Sequence, residues 1–565
     1  MNTLNIPKLC GGDIELCNFF TGLDSPHGTG LHAALALLRK IDGVSGKPQV
    51  SDSVCYCPEG RAQREKGWAP ERHDTAATDY STASDAFNPQ DWMRTFLPGN
   101  GGCVYIDLDH LEICLPEVLS ARDHVTAWNA MLRIAARAQT AANAELQKGR
   151  KIHVMANNSD GHGNSYGSHL DFLITRRAWN NIFSRRLQYL LYLAAFQVSS
   201  IVFTGQGKVG CEGSAEGAPS AYQISQRADF IEVLAGVQTT FNRPIVNSRD
   251  EPLCGSRWGN PESPAQNMAR LHVIFYDSTL CDIANLLKVG VMQIMLTMIE
   301  AEKMNPQLLL DDPVAAAHAW SRDPLLVERV PLVSGKELTA VELQLLFLEE
   351  AKAFVDAGGC EGLVPEAELI IDLWADTLLK LKAGDYTSLA RRLDWVLKLS
   401  ILERAMKQRP ELTLASHEIK HLDHVYSALD GGLFQAVARQ GAVERILSDE
   451  EIERFVSEPP ADTRAWARSQ LLSIAGPERI EKVDWDEITF RLKGAWPYRR
   501  TVTLANPLGF TRAKTRFLET ATLDDALDVL GAEPPPVLAP ALIAPRLHPR
   551  GFSTQPPKSP RTIKP

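Results

Sequence analysis

The segment C-V-Y-I-D-L-D at 103–109 restricts the fold of this chain more than any other. Strict apolar/polar alternation is the pattern of a half-buried strand. Side chains on a strand point alternately to its two faces. Val104, Ile106 and Leu108 therefore share one face, and Tyr105, Asp107 and Asp109 the other. The apolar set packs on a core, while a phenol and two carboxylates line the opposite surface. His110, Glu112 and Glu117 follow within ten residues. Taken alone, the pattern also fits the solvated face of an amphipathic strand.

The same arrangement recurs near the N-terminus. In G-G-D-I-E at 11–15, Asp13 and Glu15 share a face and Ile14 lies opposite. Two carboxylates on one face suit a hard cation, because Mg²⁺ takes oxygen ligands and keeps waters and phosphates. A third element, N-N-S-D-G-H-G-N-S-Y-G-S-H at 157–169, follows a strand and gathers Asp160, Ser165, Tyr166 and His169. Its Asn, Gly and Ser also fit a β-hairpin turn. The run F-T-G-Q-G-K-V-G at 203–210 matches no phosphate-loop or dinucleotide pattern. Arg227 in Y-Q-I-S-Q-R-A-D-F (222–230) and Arg249 in R-P-I-V-N-S-R-D-E-P (243–252) lie near acidic neighbours. Arginine forks suit phosphate oxygens, although internal pairing with carboxylates is their commoner role. In R-L-H-V-I-F (270–275), His272 falls on a strand, where a histidine is more often structural than a ligand.

At 565 residues the chain is too long for one small core. A net charge of −10, thinly spread, gives no concentrated basic surface for nucleic acid or an anionic membrane. There is no unbroken apolar run long enough to span a bilayer, and Met1–Lys8 does not read as a signal peptide. The ten cysteines are scattered, with Cys55 and Cys57 the one close pair, and read as unpaired cytosolic thiols.

Strands are expected at 9–19, 103–108, 151–156, 170–175, 200–204 and 271–276. Helices are expected at 30–41, 124–146, 178–197 and 281–303, and over much of 341–412. Residues 42–100 read as a long loop insertion, and the proline-rich stretch 533–565 as a disordered tail.

Taken in order, these segments resemble the family of Pup ligase and Pup deamidase/depupylase, relatives of glutamine synthetase and the carboxylate–amine ligases. The similarity runs from about 9 to 518. It includes N-G-x-x-x-Y-x-D…H-x-E at 100–112, the asparagine-rich loop, and the 222–230, N-x-R-D-E-P and R-L-H-V-I segments. R-L-D-W-V-L-K at 392–398, D-E-E-I…P-P-x-x-T-R-A at 449–465 and V-D-W at 483–485 complete it. The resemblance implies an α+β fold: a glutamine synthetase-like curved, largely antiparallel sheet backed by helices. It divides the chain into a catalytic domain at 1–414, a small C-terminal domain at 415–518 and the tail.

By position it implies Asp107 as the catalytic aspartate. Asp13, Glu15, Tyr105, Glu112, His169 and His272 are implied around the metal, Arg227 and Arg249 at phosphate or substrate, and Trp485 at the nucleotide. ATP and Mg²⁺ are the implied cofactors. A Pup-like protein tag and tagged proteins are the implied partners, with a functional link to a bacterial proteasome and a cytoplasmic location. The D-x-x-H spacing of Asp107 and His110, the insertion at 42–100 and the 222–230 phrase favour the deamidase/depupylase branch over the ligase. A divergent enzyme with another substrate and a non-catalytic tag binder are the remaining readings. The sequence also departs from the family pattern. Asp13 replaces a glutamate, Cys103 an arginine expected to contact ATP, Leu170–Asp171 an acidic–amide pair, and 111–113 a Pro–Glu–Tyr triplet. The N-terminal motif lacks its aromatic–glycine ending.

Overall fold

The computed structural model describes residues 5–23, 29–45, 94–212, 222–251, 253, 268–492, 494 and 498–531. The tail expected at 533–565, most of the 42–100 insertion and the Cys55/Cys57 pair lie outside the described residues.

The main sheet is built from β1 (Cys10–Thr21), β2 (Thr95–Phe96), β3 (Cys103–Asp107), β4 (His110–Cys114), β5 (Lys151–Met155), β6 (Ser168–Thr175) and β11 (Met268–Val273). Its order is β11-β6-β1-β4-β3-β2, with β5 also paired to β1. Every pairing in it is antiparallel. Shorter pairs are β7 (Lys208–Val209) with β8 (Tyr222–Gln223), parallel β9 (Ile231–Gly236) with β10 (Arg243–Asn247), and β12 (Val330–Pro331) with β13 (Glu337–Leu338). A separate three-stranded sheet joins β14 (Ile480–Val483), β15 (Glu487–Arg491) and β16 (Arg499–Thr503). The architecture is α+β, as expected.

The alternation in the sequence becomes two faces in space. Ile14 and Leu16 of β1, Val104 and Ile106 of β3, and Leu111 and Ile113 of β4 form one core cluster with Trp128 and Met131. Those last two belong to the helix Ala121–Ala144, which starts where the Ser120 side chain accepts a hydrogen bond from the Asp123 N–H. Each fully buried aliphatic side chain here contributes about 1.5–3 kcal/mol of hydrophobic free energy. That burial commits the opposite face to Asp13, Glu15, Tyr105, Asp107 and Glu112.

The structure revises three expectations. β3 ends at Asp107, and Leu108 sits in the tight β3–β4 turn with φ +52° and 61% exposure, not on the apolar face. Residues 201–204 are helical, because they follow directly on the buried helix Leu187–Ser199 and the Ser200 N–H still bonds to Phe196 O. A short apolar run cannot be told from a strand by periodicity. The 157–169 segment doubles back on itself at an antiparallel Ser159–Ser165 bridge, but it is not the turn of a β5–β6 hairpin. β5 and β6 both run antiparallel to β1, opposite its C-terminal and N-terminal halves, so the loop joins two strands running in the same direction.

The helix Asp282–Glu300 is apolar and long enough to cross a membrane by composition, but it lies wholly inside the core. It carries Asn285, Lys288 and Gln293, all buried. Apolar residues just after the expected boundary at 415, such as Ile419 and Tyr426, pack with the large core. A separate cluster gathers Leu471, Ile488, Phe490 and Leu527 around Phe96, Cys103 and Cys114 of the main sheet.

A buried triad fastens this C-terminal unit to the sheet. Glu117 accepts from Arg464 Nε at 2.7 Å and Arg468 Nη1 at 3.1 Å, and Arg468 also donates to Gly101 O and Trp485 O. Burial opposes the charge of Glu117, but the two guanidiniums outweigh it and hold its carboxyl near 2. Glu117→Ala strands two buried cations and is expected to cost about 3–5 kcal/mol in chemical denaturation. A depressed folded pKa stabilises above the ordinary value of 4.5 and loses that contribution as pH falls towards 2. Wild-type stability should therefore fall over that window more steeply than that of Glu117→Ala; parallel pH profiles would rule the triad out as the clamp.

Candidate active site

Strand register assembles the polar face. Tyr105 is opposite Glu112, and Glu112 opposite Glu15, so three adjacent strands place these side chains in one transverse row. One step along, Asp13 is opposite His169, and across β6–β11 Asp171 is opposite His272. Asp107 closes β3 directly across the hairpin from His110.

The contacts follow from this register. Single carboxylate oxygens of Glu15, Asp107 and Glu112 lie within 4.8 Å of one another. The Tyr105 hydroxyl donates to Glu112 Oε1. His169 Nδ1 is 2.8 Å from Asp13 Oδ1, and His272 Nδ1 is 2.9 Å from Asp171 Oδ1. The two imidazoles meet edge-on, 5.0 Å between centroids. The Asp171–His272 contact is a hydrogen bond, which fixes that imidazole and leaves its other nitrogen for a ligand.

Burial pushes the Glu112 carboxyl well above its usual range, reinforced by the charges of Asp13, Asp107 and Glu15. Burial and then Glu112 raise the Tyr105 phenol likewise. Burial also lowers the His272 imidazole, against the pull of Asp171. For Asp171 burial is outweighed by Arg270 and His272, which hold it below the carboxylate range. Clustered, poorly compensated oxygen donors fit a hard divalent cation. Glu15 and Glu112 could hold one directly, with Asp107 at its edge and Asp13 and the histidines alongside.

The arginines differ in placement. Arg227 is buried and donates through Nη1 to Tyr166 O; burial and the neighbouring Arg243 lower its pKa to about 10, with Glu15 and Asp13 opposing. Arg249 Nη1 is 3.4 Å from Glu251, which also binds Arg270, so Arg249 reaches the Asp171–His272 pair only through a chain of ion pairs. Trp485 stands at the far end of the row, edge-on to Phe96 at 5.2 Å, with the Arg468 guanidinium 4.8 Å from its ring. Cys103 does not reach out as an arginine would; it is buried against the C-terminal unit.

Sequence reading missed two contributors. Asp171 is the carboxylate that orients His272; only alternation from His169 (two residues on, same face) hints at it. Gly167 permits a close approach: a Cβ there would stand 2.4 Å from His169 Nε2 and 2.7 Å from Glu15 Oε1. The 222–230 segment proved to be largely support, since Gln226 accepts from the Asn158 N–H and Asp277 accepts from the Gln226 and Arg227 N–H groups.

The family model described as Pup-ligase protein matches residues 40–489. The depupylase of Acidothermus cellulolyticus is 35% identical over 469 residues, covering 81% of this chain and 89% of that protein. The Pup–protein ligase of Acidimicrobium ferrooxidans is 34% identical over 415 residues, 72% of this chain and 85% of that protein. A structure of the Pup ligase PafA in complex with ADP matches with a TM-score of 0.64 at 25% identity, over 82% of this chain and 94% of that one. The chain belongs to the Pup-ligase protein family. Identity to the depupylase and to the ligase is nearly equal.

A cation binds the ionised form of Glu112, whereas burial and the neighbouring carboxylates favour the protonated one. Divalent affinity is expected to rise with pH, and binding to release protons, in calorimetric titrations with MgCl₂ or MnCl₂ in buffers of different ionisation heat. Glu112→Gln should abolish most of that release. Cation binding that is independent of pH and releases no proton would contradict the assignment of Glu112.

Proposed function

We propose that this chain is a nucleotide- and Mg²⁺-dependent amidohydrolase acting on a Pup-like protein tag in the cytoplasm. It would deamidate a C-terminal glutamine of the tag, cleave the tag–lysine isopeptide bond, or both. The carrying observation is Asp107: it shares the Glu15–Glu112 cluster and is separated from His110 by only the two-residue β3–β4 turn. The family membership and the ADP bound by a structural relative support the nucleotide.

In this reading Asp107 attacks the amide carbon or takes a proton from the attacking water. The C–N bond breaks, water adds across it, and ammonia or the lysine amine leaves. A Mg²⁺ ion held there would supply positive charge that stabilises the negative charge developing on the amide oxygen, and the nucleotide phosphates would help to hold that ion. Glu15, Glu112 and Tyr105 hold the cation side of the site, with Asp13 and the histidines His169 and His272 alongside. Arg227 and Arg249 are assigned to phosphate or tag carboxylate, and Trp485 to the nucleotide. Asp171 keeps His272 oriented.

Purified protein with Mg·ATP and a Pup-like peptide ending in glutamine should release ammonia, and a tag–lysine conjugate should be cut, both seen by mass spectrometry. Asp107→Asn is expected to lower turnover roughly 100- to 10,000-fold with nucleotide affinity retained. Full activity in that variant would refute the role of Asp107. Joining of a glutamate-ended tag to lysine would instead establish the ligase reaction, for which the ligase relative is the precedent.

A further inference from the structure

Between the acidic row and the C-terminal unit stands an arginine that none of the roles above uses. Arg94 immediately precedes β2. Thr95 is opposite Val104 and Phe96 opposite Cys103, so one further step in that register sets Arg94 across from Tyr105. Its guanidinium carbon lies 5.1 Å from the Tyr105 ring centroid. Tyr105 in turn donates to Glu112. One side chain thus separates the guanidinium from the carboxylate cluster.

The donors of Arg94 are poorly used. Its Nη1 is 3.5 Å from Asp484 Oδ1, the limit of a hydrogen bond, and that oxygen already accepts from the Trp485 N–H at 2.8 Å. Its Nε is buried with no hydrogen-bond partner. The adjacent Cys103 and Cys114 lie buried and offer the cation no formal charge. The side chain is 19% exposed, so it remains open to a ligand. A guanidinium carries five N–H donors in a rigid fork, and leaving them unmatched in a desolvated site is costly. Arg270, whose Nε is likewise without a hydrogen-bond partner, is nevertheless paired with both Asp171 and Glu251 through its other nitrogens. A polyphosphate entering beside Glu15, Asp107 and Glu112 meets like charge, and needs cationic donors at the rim.

We propose that Arg94 is an anion-binding residue of the active site, whose fork holds phosphate oxygens of the bound nucleotide. Assignment of the anion to a nucleotide rests on the function proposed above. Arginine pairs with two phosphate oxygens at once, whereas lysine acts as a point charge.

The test is calorimetric binding of Mg·ATP, Mg·pyrophosphate and adenosine to wild type, Arg94→Gln, Arg94→Lys and Asp484→Asn, with thermal unfolding of each. Arg94→Gln should weaken Mg·ATP and Mg·pyrophosphate roughly 10- to 100-fold, the worth of a charged hydrogen-bonded contact. Adenosine affinity and unfolding temperature should not change. Arg94→Lys should recover part of the loss and serves as the readout if Arg94→Gln does not fold. Asp484→Asn should leave phosphate affinity unchanged or tighter. Wild-type affinities in both Arg94 variants would overturn the proposal while leaving the nucleotide reading intact. Equal losses in Asp484→Asn, with a lowered unfolding temperature, would also overturn it and make Arg94 a clamp. Wild-type binding of Mg·pyrophosphate without ATP, lost in Arg94→Gln, would keep the anion site and discard the nucleotide. Binding of neither by wild type would discard both.

Discussion

Glu15, Asp107 and Glu112 bring carboxylate oxygens within 4.8 Å of one another. If ionised, each pair repels by something on the order of 3 kcal/mol at an effective dielectric near 20. Such a cluster persists only because the backs of the same strands are locked into a core. Ile14, Val104, Ile106, Leu111 and Ile113 cannot leave Trp128 and Met131 without exposing apolar surface. Slipping one strand by a residue would separate the acids, but it would also turn the apolar set outwards. Repulsion is relieved instead by protonation, as in the raised Glu112, or by a bound cation. The site is therefore an electrostatic demand written into a hydrophobic sheet.

The surroundings answer that demand asymmetrically. On the β6–β11 side, positive charge is already distributed: Arg270 binds Asp171 and Glu251, Arg227 is pinned to the loop at Tyr166, and Asp171 fixes His272. On the β2 side, the C-terminal unit closes over the row with Arg468 and Trp485, fastened by Glu117. Arg468 touches both parts: it donates to Gly101 O in the turn before β3 and lies 4.8 Å from the ring of the tryptophan proposed to meet the nucleotide.

Much of this was legible in the chain. Alternation at 11–15 and 103–107 put Asp13, Glu15, Tyr105 and Asp107 on polar faces, and the family resemblance supplied the α+β class. Other features were not. Leu108 continued the alternation on paper, but the chain turns there. The 200–204 stretch has the composition of a strand, yet its backbone is already committed to a helix by Phe196. Asp171 looked like a departure from a pattern, because its partner His272 is about a hundred residues away and is met only across β6–β11.

By itself the sequence determined which side chains face together along each strand, because that is a local consequence of backbone geometry with period two. It also carried the family resemblance, since ordered motifs survive in one dimension. Only the tertiary structure decided which strands are neighbours, and hence that Glu15, Asp107 and Glu112 meet, that Asp171 orients His272, and that Arg94 stands over Tyr105. Those are questions of register between distant segments. Register is set by the fit of the whole core, where the cost of burying or exposing each apolar face is summed over all strands at once.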